Sequence, residues 1–328
     1  MFKFLELKYA IPCVAAVAFL ICIIILPFLI PYLRKLKFGQ SIREDGPKWH
    51  EKKSGTPPMG GIAFIIASVI AVFISNTSPV VLLVMLASFL FGVIGFIDDY
   101  IKVVLKRNLG LLAKQKFLMQ IVVSVAFILV GRYFDIIKTD IYIPFMEKTV
   151  DLGIFIIPLS VFVMTGFSNA VNLTDGVDGL ASSITAVVSV VLGVIALITK
   201  NYSLALSCAG VFGAMIGFLM FNFHPAKVFM GDTGSLFLGG FVSAMAIALK
   251  MPVLIVIIGF VYVLETLSVM LQVAYFKKTG GKRLFKMTPI HHHFEMCGWS
   301  EVKIVTVAVL VTIIAGIVSI LVSYSYLF

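Results

Sequence analysis

The sequence predicts one all-α, polytopic membrane domain spanning 1–328. Three observations predict it. Hydrophobic residues make up 60% of the 328 and charged residues only 13%, with mean hydropathy +1.09; soluble domains sit near roughly 45–50% and about 25%. The apolar residues gather into runs long enough to cross a bilayer. The basic residues crowd into alternate connections between those runs. A soluble enzyme, a disordered chain and a collagen-like chain are excluded.

A span needs about 20 apolar residues. Ten candidates follow in order: 9–33, 59–75, 80–97, 117–133, 154–171, 180–199, 202–223, 236–249, 253–275 and 304–327. The first is too long for the apolar core of a signal peptide, and no small-residue cleavage site follows it, so a retained helix is expected. The third closes on Asp98-Asp99. The eighth is short, and its helix has room to begin earlier, near Asp232. The ninth carries Glu265 in its middle. Backbone facing lipid must bond to itself, which favours helices, and the alternation of barrel strands is absent. Between the fourth and fifth spans, 134–153 alternates around Ile141-Tyr142-Ile143 and is expected to form a small hairpin.

Ten spans put both termini on one side. The connections 34–58, 98–116, 172–179, 224–235 and 276–303 hold 19 of the 26 Lys and Arg and all five histidines. Excess Lys and Arg mark cytoplasmic loops, so the termini and the hairpin are expected outside. The net charge of +10 is thus a property of loops, and no nucleic-acid partner is expected. Cys13, Cys22 and Cys208 lie in apolar runs and Cys297 in a polar loop, a spacing that implies neither a disulfide framework nor a zinc site.

Polar residues are scarce here, so their placement is informative, and the main clusters all fall on the predicted inner face. Asp98-Asp99 sits at a helix C-terminus, where the dipole already repels carboxylates. A solvated helix end is the plainer reading. The alternative is a cation nearby. Neighbours on a helix point about 100° apart, which suits a Mg²⁺ ligand beside a positioning group or base, since Mg²⁺ takes one or two carboxylates plus substrate phosphates. Asp232, between Gly231 and Thr233-Gly234-Ser235, reads either as an N-cap or as a metal carboxylate beside a phosphate at a helix N-terminus. Asp175 and Asp178 lie in a loop with two Asp-Gly pairs; with Asn172 they offer polar groups for a base edge or ribose, or simply a turn. In His291-His292-His293, three adjacent side chains cannot all reach one ion from regular structure, and contacts of one or two with phosphate or sugar are expected. Glu265 is an intramembrane ionisable residue and so a functional candidate, with a hydrogen-bonded structural role as the alternative. Lys53, Lys102, Lys114 and Lys116 lie near the same surface, where basic residues also reflect topology and lipid attraction. Lys114 and Lys116 are best placed to hold a phosphate.

Gly55-Thr56-Pro57, Met59-Gly60-Gly61, Asp98-Asp99, Asn172 to Gly179, Phe229 to Ser235 and Pro289-Ile290-His291-His292-His293-Phe294-Glu295 together resemble the polyprenyl-phosphate hexosamine-1-phosphate transferases. The last string is similar to the phospho-N-acetylmuramoyl-pentapeptide transferase (translocase I) branch in particular. The resemblance covers essentially the whole chain. Pro58 departs from it, where a threonine is expected in many members.

The resemblance implies ten membrane helices, a homodimer and a Mg²⁺-dependent enzyme of the bacterial plasma membrane. It implies that undecaprenyl phosphate and UDP-N-acetylmuramoyl-pentapeptide give lipid I and UMP. It implies that Asp98, Asp99, Asp232 and His291 are catalytic, with the three aspartates as metal ligands and Asp232 foremost. Asn172, Asp175, Gly176 and Phe229 would line the uridine pocket, Phe229 stacking on the base. Lys53, Asp178, Gln272, His291 and His292 would line the remaining nucleotide-sugar surface, with His293 beside them. Two rivals stand next to this reading: a branch moving N-acetylglucosamine-1-phosphate, and a secondary transporter, for which Glu265 and ten helices argue. A carrier, however, places its site near the midplane.

Overall fold

A computed structural model describes residues 6–37, 55–75, 77–107, 109–146 and 148–324. Lys53 and Pro58 fare differently: Lys53 lies outside the described residues, whereas Pro58 lies within them. The apolar runs fold as helices because each must satisfy its own backbone. They are α1 (Leu7–Lys37), α2 (Gly61–Ser75), α3 (Pro79–Val103), α4 (Ala113–Tyr133), α5 (Ile156–Thr174), α6 (Leu180–Ile198), α7 (Tyr202–Asn222), α8 (Gly231–Ala248), α9 (Ile255–Ile258), α10 (Phe260–Lys278), α11 (Ile290–Glu295) and α12 (Glu301–Tyr324). Among the described residues, nine are at least 18 residues long and apolar enough to cross a membrane, and α2, at 15 residues, is a shorter apolar helix. The chain is therefore an all-α polytopic membrane protein.

The eighth helix begins at Gly231 and includes Asp232, as the earlier start near Asp232 anticipated. One run differs from the sequence reading. The ninth run, expected as one helix over 253–275, is a short α9 followed by α10, separated at Gly259. At Gly259 a side chain would crowd the Phe167 ring at 2.6 Å and the Ile255 carbonyl at 3.1 Å. The break therefore coincides with a close packing point against α5.

Helix α8 is the centre of the bundle. Its residues from Thr233 to Ile247 are all buried, and it packs against α3, α5 and α2. Around this core, α1 lies on α7 and α2, while α6 joins α7 to α12. Glycine sets how near the central helices come. A Cβ at Gly95 of α3 would overlap the Asp232 carbonyl, and one at Gly213 of α7 would overlap the Ala15 carbonyl of α1. With lipid as apolar as the side chains, such close backbone approach is a main source of helix association. Large apolar side chains such as Phe28, Phe162 and Leu321 point outward, as lipid-facing residues do.

The small hairpin is present. β1 (Asp140–Ile143) pairs antiparallel with β2 (Lys148–Asp151), with Ile141 opposite Val150 and Tyr142 opposite Thr149. Ile141 and Tyr142 are both buried, rather than alternating. The Tyr142 N–H donates to the Lys250 carbonyl at 2.7 Å, and its hydroxyl donates to the Val322 carbonyl at 3.1 Å. The hairpin is thus pinned beneath the C-terminal end of α8. Asp232 lies at the other end, and 18 residues at a rise of about 1.5 Å put roughly 27 Å between them.

Candidate active site

The site is assembled on the N-terminus of α8. Asp99, buried near the end of α3, accepts hydrogen bonds from the Asp232 N–H (3.2 Å), the Thr233 N–H (2.9 Å) and the Thr233 hydroxyl (2.6 Å). It occupies the place where α8 leaves N–H groups without helical partners. Gly231 makes this approach possible: its φ is +70°, and a Cβ there would sit 2.5 Å from Asp99 Oδ2. The adjacent Asp98 points elsewhere, as the helical rotation requires. Its Oδ1 accepts the Leu111 N–H at 2.7 Å, and its Oδ2 pairs with Lys102 one turn on. Leu111 lies two residues before α4 begins, so the contact ties Asp98 to the start of the helix that carries Lys116.

Asp232 completes the group. Its Oδ2 accepts from Lys116 at 2.8 Å and from Lys102 at 3.2 Å, and its Oδ1 accepts from the Asn172 amide at 2.7 Å. The same amide nitrogen reaches the Ser235 hydroxyl at 2.8 Å. Oxygens of Asp98, Asp99 and Asp232 lie within 4.8 Å of one another and could hold a metal ion. Lys102 already places a positive charge between Asp98 and Asp232, which marks the spot as one that favours a cation.

Other predicted residues meet this centre through the 172–179 loop. Gly176 lies against the His291 ring, close enough that a Cβ would overlap Nε2. Asp178 is buried, accepts the Ala226 N–H at 3.0 Å, and lies 3.1 Å from His224 Nδ1; its own N–H donates to Glu301 at 3.0 Å. Asp175 caps the end of α5. Phe229, half-buried, is strapped to the 55–61 segment: its N–H donates to the Pro57 carbonyl at 2.9 Å, and its carbonyl accepts the Gly60 N–H at 2.8 Å. Two sequence motifs some 170 residues apart therefore form one floor, with the Thr56 hydroxyl donating to the Ala226 carbonyl.

Three predicted residues stand apart from the acidic centre. Lys114 is exposed, two positions from Lys116 and so on another side of α4. The Gln272 side chain is engaged by backbone: its oxygen accepts the Leu284 and Phe285 N–H groups at 3.0 and 2.9 Å. His293 Nδ1 accepts the Lys286 N–H at 3.2 Å. His292 pairs with Glu295 at 2.6 Å, and His291 with Glu265 at 3.0 Å. The three histidines thus have three separate partners, and no shared ion is needed to order them. Sequence reasoning missed His224 and Glu301, which form with Asp178 a second group of possible ligand atoms within 4.8 Å. No local spacing signals a cluster drawn from three connections.

The Asp98–Asp232 centre, with Lys102 and Lys116 paired to it, suits phosphoryl transfer, and comparison with known proteins agrees. Residues 81–250 match the sequence profile of glycosyl transferase family 4. The chain is 52% identical over 310 residues to the phospho-N-acetylmuramoyl-pentapeptide-transferase of Listeria monocytogenes serovar 1/2a, covering 93% of this chain and 95% of that one. The chain belongs to this transferase family. Proteins of the same name from Listeria welshimeri (53% identical, 88% of this chain and 91% of the relative) and Bacillus mycoides (52%, 89% and 91%) are similarly alike. Family membership makes the chain a phosphoglycosyl transferase of peptidoglycan biosynthesis, and the constellation on α8 is where its polar residues converge.

Proposed function

We propose that this constellation transfers phospho-N-acetylmuramoyl-pentapeptide from its UDP donor to undecaprenyl phosphate, releasing UMP and forming lipid I. The observation that carries the reading is the convergence of Asp98, Lys102, Lys116, Asn172 and Asp232 at one end of α8. These residues come from α3, α4, α5 and α8. In this reading the end bearing them faces the cytoplasm of a bacterial plasma membrane and the hairpin faces outward. The connections that the sequence assigns to that side hold 19 of the 26 lysines and arginines. The homodimer, which rests on the resemblance, and the single catalytic domain, which rests on the unbroken run of spans, are parts of this proposal.

Both substrates are anions, and the lipid phosphate must approach the sugar-linked phosphorus. Lys102 and Lys116 offset that repulsion and stabilise charge on the transferring group. Asn172 orients Asp232 and ties it to the 172–179 loop, which with Phe229 forms the nucleotide side. Hard carboxylate oxygens fit Mg²⁺, and Asp98 and Asp232 are the residues that would hold it, because their Oδ2 atoms face lysine ammonium groups that a metal ion can displace, whereas both Asp99 oxygens are held by donors at the start of α8. Bound there, Mg²⁺ would supply charge neutralisation on the phosphoryl oxygens. A phosphate monoester has its second pKa near about 6, so at neutral pH the lipid is already mostly the dianion. Asp98 then serves chiefly to position and not to take a proton.

The deciding experiment is UMP release from UDP-N-acetylmuramoyl-pentapeptide with undecaprenyl phosphate in detergent, with and without Mg²⁺. Release only with both substrates and the metal is expected. Release from UDP-N-acetylglucosamine instead would favour the sister branch. Flux in proteoliposomes without UMP would favour a transporter, although Glu265, which motivated that reading, is tied through His291 to the 172–179 loop.

A further inference from the structure

Glu265 has no part in the chemistry above, yet it is a buried carboxylate on a membrane helix. Its Oε2 receives two groups of one residue: the His291 N–H at 3.4 Å and the His291 ring Nδ1 at 3.0 Å. The backbone N–H uses Oε2 as an acceptor, and a ring nitrogen beside an acceptor is satisfied by carrying the proton itself. The edge of the His292 ring, 4.2 Å away between centroids, closes another side of the imidazole. The ring is therefore held in one orientation. Its other nitrogen, Nε2, is buried and has no hydrogen-bond partner. It packs directly against Gly176, where a side chain would keep the ring out. A buried polar atom left in this way costs about 1–3 kcal/mol, and such atoms call for an explanation.

We infer that Glu265 is a positioning residue: it fixes the orientation and tautomer of His291 so that Nε2 is presented at the 172–179 loop to accept from a hydroxyl of the nucleotide sugar. This rests on the proposed reaction for the identity of the ligand, but not for the state of the ring. Glu265 lies 26 positions before His291 and touches the substrate only through it. Gly176 completes the arrangement by letting this nitrogen come directly against the loop.

A double-mutant cycle tests the inference through UMP release, with Glu265→Gln, His291→Gln and the pair. Glu265→Gln is expected to lower kcat/KM for the nucleotide sugar by about tenfold or more, the scale at which partners orienting a functional histidine act. The KM for undecaprenyl phosphate and the Mg²⁺ requirement should not move. If Glu265 acts only through His291, the double variant is no slower than His291→Gln alone. Independent, multiplying losses would overturn the inference, as would full activity in Glu265→Gln. A second measurement needs neither turnover nor a folded Glu265 variant. In the histidine ¹⁵N spectrum of the unaltered enzyme, with His291 assigned by its loss in His291→Gln, a protonated Nδ1 supports the inference. A bare Nδ1 with the proton on Nε2 overturns it. If the enzyme releases no UMP while the spectrum shows the protonated Nδ1, the proposed reaction falls and the Glu265 assignment stands.

Discussion

Asp98 and Asp99 are adjacent in sequence and chemically distinct in place. Asp99 is consumed by three donors at the start of α8, whereas Asp98 and Asp232 share Lys102. Asp232→Ala should therefore abolish Mg²⁺-dependent UMP release while circular dichroism still reports a helical bundle; full activity would remove Asp232 from the reaction. Asp98→Asn should stay slow at every pH. Recovery towards normal turnover as pH rises would instead show that Asp98 takes a proton. Asp99→Asn replaces an acceptor by an amide facing three donors and should cost about 2 kcal/mol or more, read as a lower Tm in detergent. An unchanged Tm would return Asp99 to the metal. The sequence made all three aspartates legible, because charged residues are so few, and the helical rotation correctly separated Asp98 from Asp99. It did not say which one anchors α8. That depends on the approach of two helices more than 130 residues apart. The partners of His291 and Asp178 were hidden for the same reason.

Among the elements, the pairing of α3 with α8 decides the site, and it depends on the absence of a side chain at Gly95. Gly95→Ala would push a methyl group against the Asp232 carbonyl. Overpacking of this kind costs about 1–3 kcal/mol, and here it would also move the carboxylates apart. The expected outcome is a lower Tm together with loss of UMP release, and a variant with both intact would show that the helices can separate without harm. Span positions were legible because apolar runs of membrane length have few other uses. The interruption at Gly259 was not, since glycine is tolerated within membrane helices and only the crowding against Phe167 shows why one sits there. The hairpin was legible from its turn-bounded run, but the burial of Tyr142 came from α8 and α12, which local alternation cannot foresee.

For the whole molecule, the proposed orientation separates two surfaces that a reagent can distinguish. Cys297 is exposed near the histidine segment, while Cys22 and Cys208 are buried. Lys200 lies in the turn between α6 and α7. A membrane-impermeant thiol reagent should label Cys297 only in inverted vesicles, and a Lys200→Cys, Cys297→Ser variant only in right-side-out ones. Labelling of both from the same side would contradict the topology on which a cytoplasmic site depends. The enclosure of α8 by α3, α5 and α2 has a further consequence for how the protein comes apart. Local opening follows the density of buried contacts. Amide exchange should therefore be slowest from Thr233 to Ile247 and fastest where the 279–289 connection hangs from Gln272. On warming, the transferase would first lose the arm that carries its histidines, and the acidic centre would be the last part to dissolve.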